Sequence, residues 1–175
     1  MILVILISSL SMFMSCCSTL FPDEKLSMQR KDYNGNEIKI DGYYYYFISD
    51  KQYNRAVVHF LYRNGMILSA GSFLGNDLND IEKEMITYYD SFRKTDWGVF
   101  LVDSNIIKYE KVISADPAAG IQSFIIRELG YIDNDTTLHF TDSYSSKNNE
   151  TKKIDKVWHF KQFDNKPDST NVCIK

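Results

Sequence analysis

Clusters of basic residues are missing from this 175-residue chain: 20 Lys and Arg and 23 Asp and Glu are interspersed along it, for a net charge of −3. An electrostatic nucleic-acid binder needs a basic stripe to displace counterions, so the composition argues against one. The Gly-x-Ser-x-Gly elbow is absent as well, since Gly71-Ser72-Phe73 lacks the flanking glycine that its strained turn requires. There is no glycine-rich phosphate loop. Acid pairs such as Asp77/Asp80 and Asp133/Asp135 fall in turns or at a helix start, where they act as caps and turn formers. No residue is therefore assigned a catalytic role. Metal-ligand spacing is lacking too: the vicinal Cys16-Cys17 pair has no second Cys-x-x-Cys and no nearby His. Neither a metal nor another cofactor is assigned.

Proline is scarce, at three residues, while aromatics make up 14% of the chain, with twelve Tyr and eleven Phe. This usage favours pleated, half-buried surfaces over disorder. The length suits one domain with a real core.

The first sixteen residues, MILVILISSLSMFMSC, carry no charge. They are too short for a membrane-spanning helix, which needs about 20 apolar residues, and the right size for the apolar region of a signal peptide. A buried N-terminal strand is the alternative reading. Phe13-Met14-Ser15-Cys16 resembles the relaxed lipobox of bacterial lipoproteins, those of the Bacteroidetes group in particular. The resemblance implies cleavage before Cys16, diacylglycerol on its sulfur and an acylated amine (fatty acyl groups such as palmitate), and an outer-membrane lipoprotein facing the periplasm or the cell surface. Cys17 is the second candidate acceptor, and a Cys17–Cys173 disulfide stays open. The expected organisation is a signal peptide over 1–15, a lipidated tether over 16–36, polar and containing Pro22, and one β domain over 37–175.

Within that domain, DGYYYYFIS (41–49), NRAVVHFLYR (54–63) and MILSAGSF (66–73) read as strands. Asn64-Gly65 joins the last two with the residues a type I′ hairpin turn demands. Over 76–95 the period changes. Leu78, Ile81, Met85, Tyr88 or Tyr89, and Phe92 recur at three- and four-residue steps, which predicts one amphipathic helix capped by Asn76 or Asp77. Strands follow at 97–103, 106–114, 120–132, 136–145 and 153–163, separated by short turns. Hairpin-length connections cannot join parallel strands, so an antiparallel meander of about eight strands is expected. Closing it into a barrel or strongly curved sheet removes the exposed edges.

DGYYY, LYRNG, WGVFLVDSNIIKYE, GYIDNDTTLHFT and WHFKQFDNKPDSTN together resemble small uncharacterised Bacteroidetes (flavobacterial-type) lipoproteins with a lipocalin-like domain. The resemblance implies a lipocalin-like antiparallel β-barrel with one inserted helix. Fold analogy and residue type point to noncatalytic binding of a small apolar or amphipathic molecule, lined by Tyr44, Tyr46, Trp97, Tyr109 and Trp158. An interaction subunit or inhibitor docking an envelope protein is the alternative, and a hydrolase the third. Aromatics occupy both faces of Tyr43–Phe47, so either a helix covers one set or one set lines a pocket. Each of His59, His139 and His159 precedes a Phe and so faces the opposite side from it. Were 139 and 159 on neighbouring strands, two imidazoles would be placed to share a metal, against the commoner reading of solvent-facing His.

Overall fold

The computed structural model describes residues 26–49, 53–89, 92, 94–113 and 123–169. Cys16, Cys17, Cys173, the expected signal peptide and the first part of the tether lie outside the described residues. No helix among the described residues is long and apolar enough to cross a membrane.

Eight antiparallel strands in chain order close into a barrel: β1 (Gly42–Ser49), β2 (Asn54–Leu61), β3 (Met66–Leu74), β4 (Trp97–Asp103), β5 (Ile106–Ile113), β6 (Phe124–Asn134), β7 (Thr137–Ser145) and β8 (Glu150–Gln162). The seam is β1 on β8, with Tyr44 opposite Phe160. This is the expected barrel, with one α-helix among the described residues, α1 (Leu78–Thr87), between β3 and β4. The helix ends earlier than its apolar spacing predicts. The hydroxyl of Thr87 donates to the Glu84 carbonyl at 2.6 Å, competing with continuation of the backbone ladder. A single 3-10 turn (Lys94–Asp96) then leads into β4.

The 62–65 hairpin also differs from expectation. Asn64 has negative φ, so the turn is not type I′; Gly65 N–H instead donates to the Tyr62 carbonyl at 3.0 Å, and Gly65 alone takes a left-handed φ of 76°. That is a type I turn followed by a glycine bulge, a three-residue loop that also matches strand twist. The Asn64 side chain is used as an acceptor for Met66 N–H at 3.2 Å.

Strand alternation divides the aromatics. Tyr43, Val58, Phe60, Leu68 and Phe73 face outward and pack under α1 through its buried Ile81 and Met85. Asp77 caps α1 by accepting from Asn79 N–H at 2.8 Å. Glu82 on the helix accepts from the Tyr43 hydroxyl at 2.9 Å and pairs with Lys161 at 2.8 Å, fixing the helix to the β1–β8 seam. Tyr44, Leu61, Ile67, Phe100, Ile107, Tyr109, Leu138, Phe140 and Trp158 face inward. The two sets of the Tyr43–Phe47 strand are thus shared between helix and barrel interior.

Segments 33–41 and 163–169 close the end that carries the β2–β3, β4–β5 and β6–β7 turns. The Tyr33 ring packs at a tilt against Phe100, centroids 5.9 Å apart, and its hydroxyl accepts from Ile38 N–H at 2.9 Å. The Lys166 ammonium donates to the Ile40 and Leu61 carbonyls at 2.6 and 2.5 Å and lies 4.1 Å from the Tyr62 ring. Residues 27 and 28, expected in the tether, lie along the outer wall. Ser27 Oγ and Met28 N–H donate to the fully buried Glu110 carboxylate, which also pairs with Arg127 at 2.6 Å.

Candidate functional site: a split in the barrel wall above a charged interior

The two ends of the interior differ. Around the closed end, Tyr44, His59, Leu61, Ile67, Phe100, Tyr109, Phe140 and Trp158 leave a void of about 10 Å³, roughly the space of one water molecule. This floor is packed. It rests on edge-to-face contacts such as Tyr109–Phe140 at 5.2 Å and His59–Trp158 at 4.3 Å.

Above the floor the barrel wall is split. β3 pairs with β4 only over Met66–Leu68, whereas β3 continues to Leu74. Ala70 also falls out of register with β2, because Val58 faces Gly71 and His59 faces Ser69. Such a bulge bends a strand and breaks its ladder. Beside this stretch a cleft of about 320 Å³ runs between β3 and the helix, lined by Ser69, Ser72, Phe73, Glu84, Tyr88, Phe92 and Asp96 among others.

Ser69 links the cleft to the interior. Its hydroxyl receives a 2.7 Å hydrogen bond from Lys111 Nζ on β5 and lies 3.5 Å from His59 Nε2. Between Ser69 and Lys111 runs β4, which presents Gly98 at that level. A methyl group there would collide with the Glu110 carbonyl oxygen and come within 2.8 Å of the Lys111 Cβ. Glycine therefore leaves the lane along which the lysine crosses β4. Further round the interior, Lys156 on β8 pairs with the buried Glu128 of β6 at 2.5 Å and lies 5.5 Å from the Tyr46 ring.

Burial sets the protonation of this cluster. Removal from water brings the Lys111 ammonium down to about 8; Lys156 adds to the fall, and Glu128 and Asp96 oppose it. Burial, followed by the charges of Lys111 and Lys156, holds His59 well below its usual value, so the ring is a neutral imidazole. The Tyr109 phenol is pushed well up by burial and then by the Glu128 charge, and stays protonated. Three buried side-chain atoms here have no partner among the described residues: His59 Nδ1, Trp158 Nε1 and Glu128 Oε2. Such groups are costly unless a water or guest meets them.

Of the five residues expected to line a pocket, Tyr44, Tyr46, Tyr109 and Trp158 do face the interior together. Trp97 does not. It lies in the outer cluster, 5.7 Å from the Tyr62 ring, at the last residue pair before the split. The histidines alternate with their phenylalanines, but in both senses: Phe140 and Phe160 face inward and His139 and His159 outward, while Phe60 faces out and His59 in. His139 meets Asp155 at 2.7 Å, and no group of three metal-ligating side chains forms among the described residues.

Lys111, Glu128 and Lys156 were not singled out from sequence, although a signal exists. Lys111 shares the parity of Ile107 and Tyr109 on one strand, and Lys156 that of Trp158 on another, so alternation alone turns both inward. Compared with known proteins, the chain matches no family model, no curated protein and no solved structure.

Proposed function

We propose that the chain is an exported envelope lipoprotein, anchored through Cys16, whose barrel binds a small amphipathic molecule at the split between β3 and β4. The observation that carries this reading is the cleft of about 320 Å³ beside Ser69, a size suited to a small ligand. Because the floor is packed, the guest lies in the cleft and above Tyr46. Tyr44, Tyr109 and Trp158 support it from below. Phe73, Tyr88 and Phe92 supply apolar contact, and the serines and charged groups supply orientation. The anchor and an outer-membrane location rest on the resemblance of the N-terminal residues to a lipobox.

Full-length protein purified in mild detergent, extracted with organic solvent and analysed by mass spectrometry, tests the binding. The expected result is one amphipathic compound near stoichiometry, lost from a Ser72→Trp variant that fills the cleft. No compound in either protein would reject the reading. Radiolabelled palmitate that fails to enter the protein, or enters equally after Cys16→Ala, would reject the anchor.

One observation favours docking of an envelope partner as a second reading. Phe47, Ile48, Tyr53, Leu74 and Tyr88 are all exposed at the end of the barrel remote from the packed floor, more apolar surface than isolated side chains require. A stoichiometric envelope protein retained by the wild type and released by Leu74→Asp would support it.

A further inference from the structure

We infer that Ser69 is a nucleophile for acyl transfer, with Lys111 as its general base, acting on a small uncharged ester that enters by the cleft. Nucleophile and base are in contact, with Lys111 Nζ 2.7 Å from Ser69 Oγ. They come from different strands and meet across β4, which carries no side chain at Gly98 beside the Lys111 Cβ.

The lysine has no structural ion pair to maintain. Whereas Lys156 is held by Glu128, Lys111 has no carboxylate within 4 Å among the described residues, and Ser69 is its hydrogen-bond partner. A largely desolvated ammonium whose nearest carboxylates, Glu128 and Asp96, oppose its deprotonation without pairing with it directly gives up its proton more readily than a solvated lysine. With its affinity for protons lowered to about 8, a substantial share is free amine in mildly alkaline solution, as general-base catalysis requires. The groups facing it are Glu128 from β6, Lys156 from β8, Asp96 from the 3-10 turn and, across Ser69, the neutral His59.

Access and substrate charge follow from the cleft. Ser69 lines it directly, with Glu84 and Asp96 in the same wall. The Glu84 carboxylate at the entrance disfavours an anionic substrate and leaves uncharged esters as the substrate class. The main chain after Ser69 is released from both neighbours: Ala70 has no opposite residue on β2, and pairing with β4 ends at Leu68. Backbone N–H groups next to a nucleophile are where an oxyanion finds donors.

In the first step Ser69 Oγ attacks the ester carbonyl carbon, forming the new C–O bond as its proton passes to the uncharged Lys111 amine. Collapse of the adduct breaks the bond to the alkoxy group, which takes that proton and departs as the alcohol. Water then attacks the acyl-serine, giving a proton to Lys111. The acid leaves, and Oγ recovers the proton.

The reading of a retained ligand uses the same cleft but is tested separately. Full-length protein is treated with a fluorophosphonate, which phosphonylates activated serines with loss of fluoride, and the adduct is mapped by tandem mass spectrometry. One adduct at Ser69 is expected, its rate rising with pH around a midpoint near 8. Ser69→Ala abolishes it. Lys111→Met and Lys111→Arg each slow it by roughly 100-fold, the arginine keeping a charged donor that does not accept a proton. Circular dichroism establishes that each variant is folded. No adduct on Ser69, or labelling there that is unchanged by both lysine substitutions, overturns the inference. A protein that yields no extractable compound yet labels at Ser69 loses the binding proposal and keeps this one.

Discussion

The closed and split halves of the barrel interior solve different problems with the same eight strands. At the closed end, aromatic rings fill the space; the Tyr44 hydroxyl donates to the Asp135 carbonyl at 3.1 Å, while His59 Nδ1 and Trp158 Nε1, where the floor meets the split half, have no partner among the described residues. Burial of this kind is the main favourable term in folding. At the split end, Lys111, Glu128, Lys156 and Ser69 share the interior with the His59 ring at its lower border, and Glu128 Oε2 lacks a partner among the described residues. Replacing such buried ions by packed apolar groups is often neutral or stabilising. Stability therefore explains the first half and does not explain the second.

Three substitutions sharpen that contrast. The largest effect belongs to the floor: Trp158→Ala removes a buried ring that touches Tyr46, His59 and Phe140, and urea unfolding should show a loss of about 3–5 kcal/mol. A loss under 1 kcal/mol would mean the floor is not what holds the barrel.

Lys111→Met should act in the opposite direction. The folded-state value of about 8 lies below the ordinary 10.5, so the unfolded chain binds more protons between those pH values and wild-type stability from this group rises with pH across them. Below pH 8 its full cost is present. The methionine variant should then be more stable by about 1–3 kcal/mol, with the advantage fading toward pH 10. A destabilised variant at pH 7 would make the lysine structural and erase the contrast.

The smallest effect concerns the outer wall. Burial raises the proton affinity of Glu110, but Met28 N–H, Arg127 and Ser27 together outweigh it and hold the carboxyl below 4.5. Its contribution is present above pH 4.5 and lost as pH falls through the folded value. Glu110→Gln should cost about 1–2 kcal/mol at pH 7, a difference that shrinks in acid, and should speed proteolysis near Met28. Equal cleavage rates would show that the carboxylate does not hold this segment.

Much of the architecture was legible in the sequence because local signals agreed. Alternation in Gly42–Ser49, the turn residues Ser104-Asn105 and the three- and four-residue steps of Leu78, Ile81 and Met85 each mark one element. Hairpin-length loops then left little topological freedom. What stayed hidden depends on relations between strands. The bulge at Ala70 and the early end of the β3–β4 ladder are register events, which single-strand patterns do not encode. Trp97 was placed by residue type, whereas its parity within β4, opposite to that of Phe100, turns it outward. Ser69 and Lys111 lie on strands that are not neighbours, and they meet across the intervening β4, a relation no single-strand pattern carries.

The seam between β1 and β8 governs how the chain acquires this shape. The first strand finds its second partner only when the last has left the ribosome, and contacts so distant in sequence are slow to form because the intervening chain must first lose its freedom. Until then the ribbon keeps two open edges, each able to join another molecule. Closure of the barrel therefore waits on the last strand, and the chain's exposure to wrong partners lasts as long as that wait.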